Sequence, residues 1–290
     1  MNKVERVSSL RAVIVAARKD KKTIGFVPTM GNLHDGHLEL VKIAKQRTDF
    51  VVVSIYVNPT QFGANEDLSN YPATPEQDAR LLAEMGVDLL FAPKQEAIYP
   101  GELGKQTVVY VPEMGDQYCG TDRPEHFYGV TTVVSRLFNM VQPDVAVFGK
   151  KDYQQLAILR RMVQDLAYPI ELVGVDTIRS PEGLALSSRN GYLTKKQLNN
   201  APILQETLQE LAINLKAAAK DLKDGNVSIQ QFEEQAIETL EAAGFKPHYL
   251  TVCRQVDLKP ANSTDIELVI LAAAQLGKAR LIDNLEVLLD

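Results

Sequence analysis

Residues 24–57, IGFVPTMGNLHDGHLELVKIAKQRTDFVVVSIYV, hold two short apolar runs with a helical pattern between them, and how these are read decides the fold. IGFVP (24–28) and VVVSIYV (51–57) are continuously apolar rather than alternating, the pattern of strands covered on both faces. Residues 38–47 carry apolar side chains at helical spacing. Strand, helix and strand in that order call for two parallel strands joined by a right-handed crossover.

Working outward, DLLFAP (88–93), VAVFG (145–149) and IELVGV (170–175) read as further strands, with helices expected over 75–85, 131–140 and 153–166. After Asn190 the character changes to Leu/Ala/Glu/Lys-rich helical segments, 195–222 and 228–243, around the turn Asp224-Gly225-Asn226. HYLTVCR, IELVILAAAQL and ARLIDN then offer three short strands for a small sheet. The expected architecture is α/β: a parallel sheet flanked by helices over residues 1–180, then a smaller α+β domain over 181–290.

Composition excludes several classes. With 45% hydrophobic and 23% charged residues in 290, the chain is able to bury a sizeable core. The net charge is -6 and no five or six like charges run together, so no nucleic-acid partner is expected. Apolar runs at 12–17, 51–57 and 268–274 fall far short of the ~20 residues that cross a bilayer. The opening MNKVERVSSLRAVIVAARKD is too charged for a secretory leader, and a cytoplasmic protein is expected. Cys119 and Cys253 lie far apart and read as two reduced thiols.

PTMGNLHDGH directly follows the first of these strands, where parallel sheets place ligands. A helix beginning near His37 offers unpaired N–H groups and a positive dipole end to an anion, and His34 and His37 can donate to phosphate oxygens. Gly36 leaves room for a base or ribose. Two alternatives stay open: a helix cap with two surface imidazoles, or a metal pair, although only His126 and His248 remain as further histidine ligands. FGKKDYQQL puts Lys150, Lys151 and Asp152 after another strand, suited to phosphate and to a ribose hydroxyl or Mg²⁺, with Gln154 or Gln155 toward a cleft. LALSSRNGYL, at the expected domain junction, offers Ser187, Ser188 and Arg189 to a triphosphate. VNPTQFG supplies Asn58 and Gln61 as neutral amides for a hydroxyl-rich substrate, and DRPEHFYGV adds Arg123 and His126. Each is also ordinary loop chemistry when taken alone.

Together these blocks resemble the pantothenate synthetase, or pantoate–β-alanine ligase, family. PTMGNLHDGH looks like its signature, VNPTQF matches V-N-P-x-Q-F, and RPEHFYGV resembles R-P-x-H-F-R-G-V. FGKKDYQQL resembles F-G-E-K-D-x-Q-Q-L, LALSSRNGYL matches unchanged, and ARLIDN resembles the closing R-L-I-D-N. Lys150 and Tyr128 depart from that pattern, standing where glutamate and arginine are usual.

The resemblance implies a HIGH-motif nucleotidyl transferase with a Rossmann-like domain and a C-terminal lid. ATP and (R)-pantoate would give pantoyl adenylate and pyrophosphate with Mg²⁺, and β-alanine's amine would then release pantothenate and AMP, in coenzyme A biosynthesis. Met30, Gly31, Asn32, Leu33, His34, Asp35, Gly36 and His37 would line the ATP site, with His34, His37 and Lys151 catalytic. Gly149, Lys150, Lys151 and Asp152 would hold ribose and phosphate, Ile178 would lie near adenine, and Leu186, Ser187, Ser188 and Arg189 would close over the triphosphate. Gln61 and Gln155 would grip pantoate, Gln61 also meeting β-alanine. The Mg²⁺ ligands are left open, and a homodimer is implied. Two other readings stand beside this: a nucleotidyltransferase that adenylylates a phosphorylated cofactor precursor and stops there, and a nucleotide-binding regulator without chemistry.

Overall fold

Six strands build the parallel sheet: β1 (Asn2–Val4), β2 (Ile24–Thr29), β3 (Phe50–Ile55), β4 (Leu89–Phe91), β5 (Val145–Gly149) and β6 (Glu171–Val175), in the order β1-β4-β3-β2-β5-β6. The structure, a computed structural model, describes residues 1–63 and 66–289. β2 pairs with β3 from Ile24↔Phe50 to Thr29↔Ile55 and with β5 at Gly25↔Val145 and Phe26↔Ala146. From β2 the chain steps outward through β3 to β4, then returns to β5 on the other side. The carboxyl ends of β2 and β5 therefore flank the point where strand order reverses, the crevice in which such sheets bind ligands.

The longer helices here are α1 (Val7–Lys19), α2 (Asp35–Arg47), α3 (Pro75–Glu84), α4 (His126–Val141) and α5 (Tyr153–Asp165). Val27, Val51, Val53, Val145 and Val147 pack with Val41 and Ala44 of α2 and Leu82 of α3. Phe26 and Phe148 point the opposite way, edge-on to Phe138 of α4 at 6.4 and 6.3 Å. Both sheet faces are thus buried, which is why these strands read as unbroken apolar runs.

Elements differ from expectation at their ends. β1 and α1 were not anticipated: α1 buries only Leu10, Ile14 and Ala17, a narrow stripe among charges. α2 starts at Asp35 rather than 38, and α4 at His126 rather than 131, after Glu125 in a left-handed conformation.

Contacts group Met1–Lys150 with Ile158–Asp176 in one unit and Lys151–Ala157 with Thr177–Asp290 in a second. The second unit thus begins at Thr177 where sequence placed the change after 180, and it takes in 151–157, assigned by sequence to the first domain. Segment 195–222, expected as one helix, is three: Lys195–Asn200, α6 (Ile203–Ala217) and Ala219–Lys223. Pro202, which has no N–H to donate, sits at the first break. α7 (Ile229–Ala242) follows, opened by a Ser228/Gln231 capping box. β7 (Lys246–Arg254), β8 (Glu267–Leu276) and β9 (Ala279–Leu288) form an antiparallel sheet in that order. Leu204, Leu208, Leu211 and Leu215 form one helical stripe, packed with Leu240 of α7 and Leu250, Val252, Ile270 and Leu281 of the sheet.

Glu233 of α7 accepts the Val252 N–H at 2.6 Å, and burial raises its carboxyl pKa above 4.5 despite that bond. A folded-state pKa above the unfolded one means stability present below the unfolded value and lost as pH rises through the folded value. Glu233→Gln keeps an acceptor without the charge. Its thermal midpoint should exceed the parent's at about pH 8 and coincide with it at about pH 4, read by melts across that range; a parent-like midpoint at the higher pH contradicts the account.

Candidate active site

Past Thr29 the chain turns through two left-handed residues, Gly31 (φ 84°) and Asn32 (φ 51°). Asp78 of α3, 1% exposed, holds this turn: Oδ2 accepts Asn32 N–H at 2.9 Å, and Oδ1 accepts Leu33 N–H at 2.9 Å and Thr74 Oγ1–H at 3.0 Å. Burying a carboxylate costs several kcal/mol. Three donors to a charged acceptor, each worth about 1.5–3 kcal/mol, offset that cost. A side chain at Gly31 would press on the same carboxylate, its Cβ 3.0 Å from Oδ2.

The held turn delivers His34 as the N-cap of α2. His34 Nδ1 accepts Gly36 N–H at 3.2 Å, and His37 Nδ1 accepts His34 N–H at 3.3 Å. The ring centroids are 4.1 Å apart, tilted by 44°. The reciprocal bonds explain the spacing of three: each imidazole satisfies a helix-start N–H through Nδ1, so the neutral ring carries its proton on Nε2. Both rings are thereby fixed as Nε2–H donors at the positive end of a helix, an arrangement suited to oxygen that gains negative charge. The cap and phosphate readings of the sequence are thus compatible. Gly36, by contrast, gives its space to the His34 ring, since a Cβ there would stand 2.9 Å from His34 Cε1.

After β3, Pro59–Gln61 forms one 3₁₀ turn organised by Asn58, 1% exposed. Asn58 Nδ2 donates to Gln61 Oε1 and to Gly129 O, both at 3.1 Å, and its Oδ1 accepts from Thr60 Oγ1 at 3.0 Å and Tyr99 OH at 2.9 Å. Gln61 Nε2 lies 2.9 Å from Met30 Sδ, so the loops after β2 and β3 meet. Arg123 and His126 serve this turn: Arg123 forks onto Glu66 (2.6 and 2.5 Å) and donates to Gln61 O at 3.3 Å, while His126 Nδ1 is 2.7 Å from the same carbonyl. Arg123, a candidate from sequence, is thus paired with Glu66. The two departures also find partners: Tyr128 stacks on Tyr110 with centroids 3.9 Å apart, and Lys150 pairs with Asp176 at 2.9 Å. Gly149 ends β5 immediately before Lys150.

The second unit holds the remaining expected residues. Lys151 Nζ is 3.9 Å from Asp152 Oδ2, and the Lys151 carbonyl accepts Asn284 Nδ2 at 2.9 Å. Gln154 is buried and Gln155 half-buried, so Gln155 is the more accessible of the pair. Ile178 and Leu186 are joined by Leu186 N–H to Ile178 O at 2.9 Å. Ser187 caps the turn Ser188–Tyr192, its Oγ accepting Arg189 N–H at 3.3 Å, and Asn190 Nδ2 donates to Ala185 O at 3.0 Å. Sequence reasoning missed Asp78, Tyr99 and Arg179 beneath these segments, and gave Asp283 and Asn284 no role although ARLIDN was matched as a motif. Asp78 reads simply as a first-turn helix acid, and Asp283-Asn284 as strand residues.

Among the described residues, no three or more His, Cys, Asp or Glu side chains form a group able to hold a metal ion, and no helix is long and apolar enough to cross a membrane.

A family profile described as pantoate-beta-alanine ligase matches residues 2–286. A pantothenate synthetase of Pseudomonas putida is 54% identical over 290 residues, 100% of this chain and 99% of that protein. The crystal structure of pantothenate synthetase from Thermus thermophilus superposes with TM-score 0.87 at 44% identity, covering 99% of this chain and 100% of that one. A pantoate-beta-alanine ligase from Francisella tularensis, complexed with beta-gamma ATP and beta-alanine, gives TM-score 0.79 at 33% identity, covering 99% and 97%.

Proposed function

The chain belongs to the pantoate–β-alanine ligase family and joins pantoate to β-alanine, with ATP as substrate, to make pantothenate, and we propose that it does so through a pantoyl adenylate. A pantoate carboxylate oxygen attacks the α-phosphorus, the bond to the β-phosphate breaks, and pyrophosphate leaves. The β-alanine amine then attacks the acyl carbon, the carbon–oxygen bond to phosphate breaks, AMP leaves, and the nitrogen gives up a proton to become the amide.

The observation that carries this reading is the bonding of both His34 and His37 through Nδ1, which leaves Nε2–H as the donor of each neutral ring, at one helix start beside the sheet's switch point. Charge accumulating on α-phosphoryl oxygens is what such fixed donors stabilise. We assign the backbone of Met30 to His37 to the nucleotide, and Gly149, Lys150 and Asp152 to ribose and phosphate. Lys151 compensates charge on the departing pyrophosphate, with Leu186, Ser187, Ser188 and Arg189 over the triphosphate and Ile178 beside adenine. Gln61 and Gln155 hydrogen-bond pantoate. Bound to ATP, Mg²⁺ would screen the charge of its phosphates. The enzyme works as a homodimer in the cytoplasm.

Pantoate-dependent exchange of labelled pyrophosphate into ATP, run without β-alanine, tests the adenylate. Label should enter ATP only when pantoate is present. Exchange that requires a phosphorylated precursor instead, with none from pantoate, replaces this reading with that of a plain nucleotidyltransferase, which the family match does not favour.

A further inference from the structure

Asp283 and Asn284 are neighbours on β9, and strand alternation sends their side chains to opposite faces. On one face the Asp283 carboxylate, 3% exposed, receives a two-pronged bond from Arg179: Nη1 to Oδ2 at 2.6 Å and Nη2 to Oδ1 at 2.8 Å. Arg179 Nη1 also donates to Gly183 O at 3.1 Å, so this pair anchors the base of the loop that carries Ser187, Ser188 and Arg189. On the other face Asn284 Nδ2 donates to the Lys151 carbonyl at 2.9 Å, and two residues further along Glu286 accepts from Tyr153 OH at 3.1 Å. The anchors share one peptide unit, because Asp283 Oδ1 also accepts Asn284 N–H at 2.8 Å.

We propose that Asp283 and Asn284 are positioning residues that hold Lys151 and the Ser187–Arg189 loop at a fixed spacing for the nucleotide's phosphates. The proposal rests on the assignment of those segments to ATP. A buried Arg–carboxylate fork fixes direction as well as distance, and a side-chain amide on a backbone carbonyl fixes where the following side chain emerges. One rigid strand thereby sets the register of two loops that chain connectivity leaves independent.

The test uses the full chain. Asn284→Ala should weaken ATP binding by about fivefold or more in calorimetry, the scale of one lost hydrogen bond. Michaelis constants for pantoate and β-alanine should stay within about twofold, with the thermal midpoint close to the parent's. In a Lys151→Ala background the same substitution should change ATP affinity by less than about twofold, because its effect passes through Lys151. A general structural role would leave that penalty intact. Arg179→Lys, which keeps the charge and drops the fork, should speed amide exchange over residues 178–192. Undiminished ATP affinity in a folded Asn284→Ala protein, an undiminished penalty in the Lys151→Ala background, or unchanged exchange in Arg179→Lys overturns the proposal. Should Lys151→Ala alone leave ATP affinity and turnover intact, the phosphate assignment falls, and the positioning proposal falls with it; the other three results overturn positioning alone.

Discussion

His37→Ala should turn over about 10²-fold more slowly or worse while binding ATP within about threefold of the parent. The ring has two jobs that differ in magnitude. Its Nδ1 accepts the His34 N–H at 3.3 Å and helps to start α2, and loss of a cap costs typically about 1 kcal/mol, mostly in stability. Its Nε2–H would meet charge that appears only as the carboxylate attacks phosphorus, and a factor of 10² corresponds to about 2.7 kcal/mol of transition-state stabilisation. A ground-state contact would change ATP affinity and turnover differently, since uniform binding leaves kcat unaltered. His37→Asn separates the jobs, because the amide oxygen restores an acceptor for the cap without an imidazole donor. Turnover should stay low in both variants while His37→Asn regains the midpoint lost by alanine. Parent-like turnover in His37→Ala, with ATP still bound, would remove His37 from the transition state and leave it a helix cap alone.

The fold was readable where burial leaves a local trace. VAVFG was expected as a strand over 145–149 and β5 occupies Val145–Gly149, because a strand covered on both faces must be apolar at every position. α1 left little trace, its buried stripe being only Leu10, Ile14 and Ala17. The start of α2 was misplaced because its cap is a histidine, whereas caps are sought among Ser, Thr, Asp and Asn. At the candidate site the motif segments stand out by composition, but their supports do not. Asp78 reaches back 46 residues to Asn32, and Asn284 reaches 133 to Lys151. No periodicity records contacts at such separations. The bonds of Asn284 to Lys151 and of Tyr153 to Glu286 accord with residues 151–157 grouping with the C-terminal unit despite following β5 directly in the chain.

Gly129→Ala tests the packing beneath Gln61. A Cβ at Gly129 would stand 2.2 Å from Thr60 O, 2.4 Å from Thr60 C and 2.6 Å from Gln61 N. All three obstacles are backbone atoms, so no rotamer change relieves them; α4 and the Pro59–Gln61 turn must separate. Overpacking costs about 1–3 kcal/mol, and a backbone obstacle points to the upper end. For a chain of this size that lowers the thermal midpoint by roughly 3–5 °C. Separation would also stretch the 3.1 Å bond from Asn58 Nδ2 to Gly129 O, and Asn58 in turn orients the Gln61 amide. If Gln61 grips pantoate, a shift of about 1 Å there reduces productive binding by one to two orders of magnitude. The Michaelis constant for pantoate should therefore rise about tenfold or more, while that for ATP, whose assigned residues lie on other loops, changes by less than about threefold. A lower midpoint with an unaltered pantoate constant would leave the packing argument standing and remove Gln61 from the pantoate site. An unaltered midpoint would refute the packing argument itself, since no L side chain fits within 2.2 Å of a carbonyl oxygen unless the two segments are already apart.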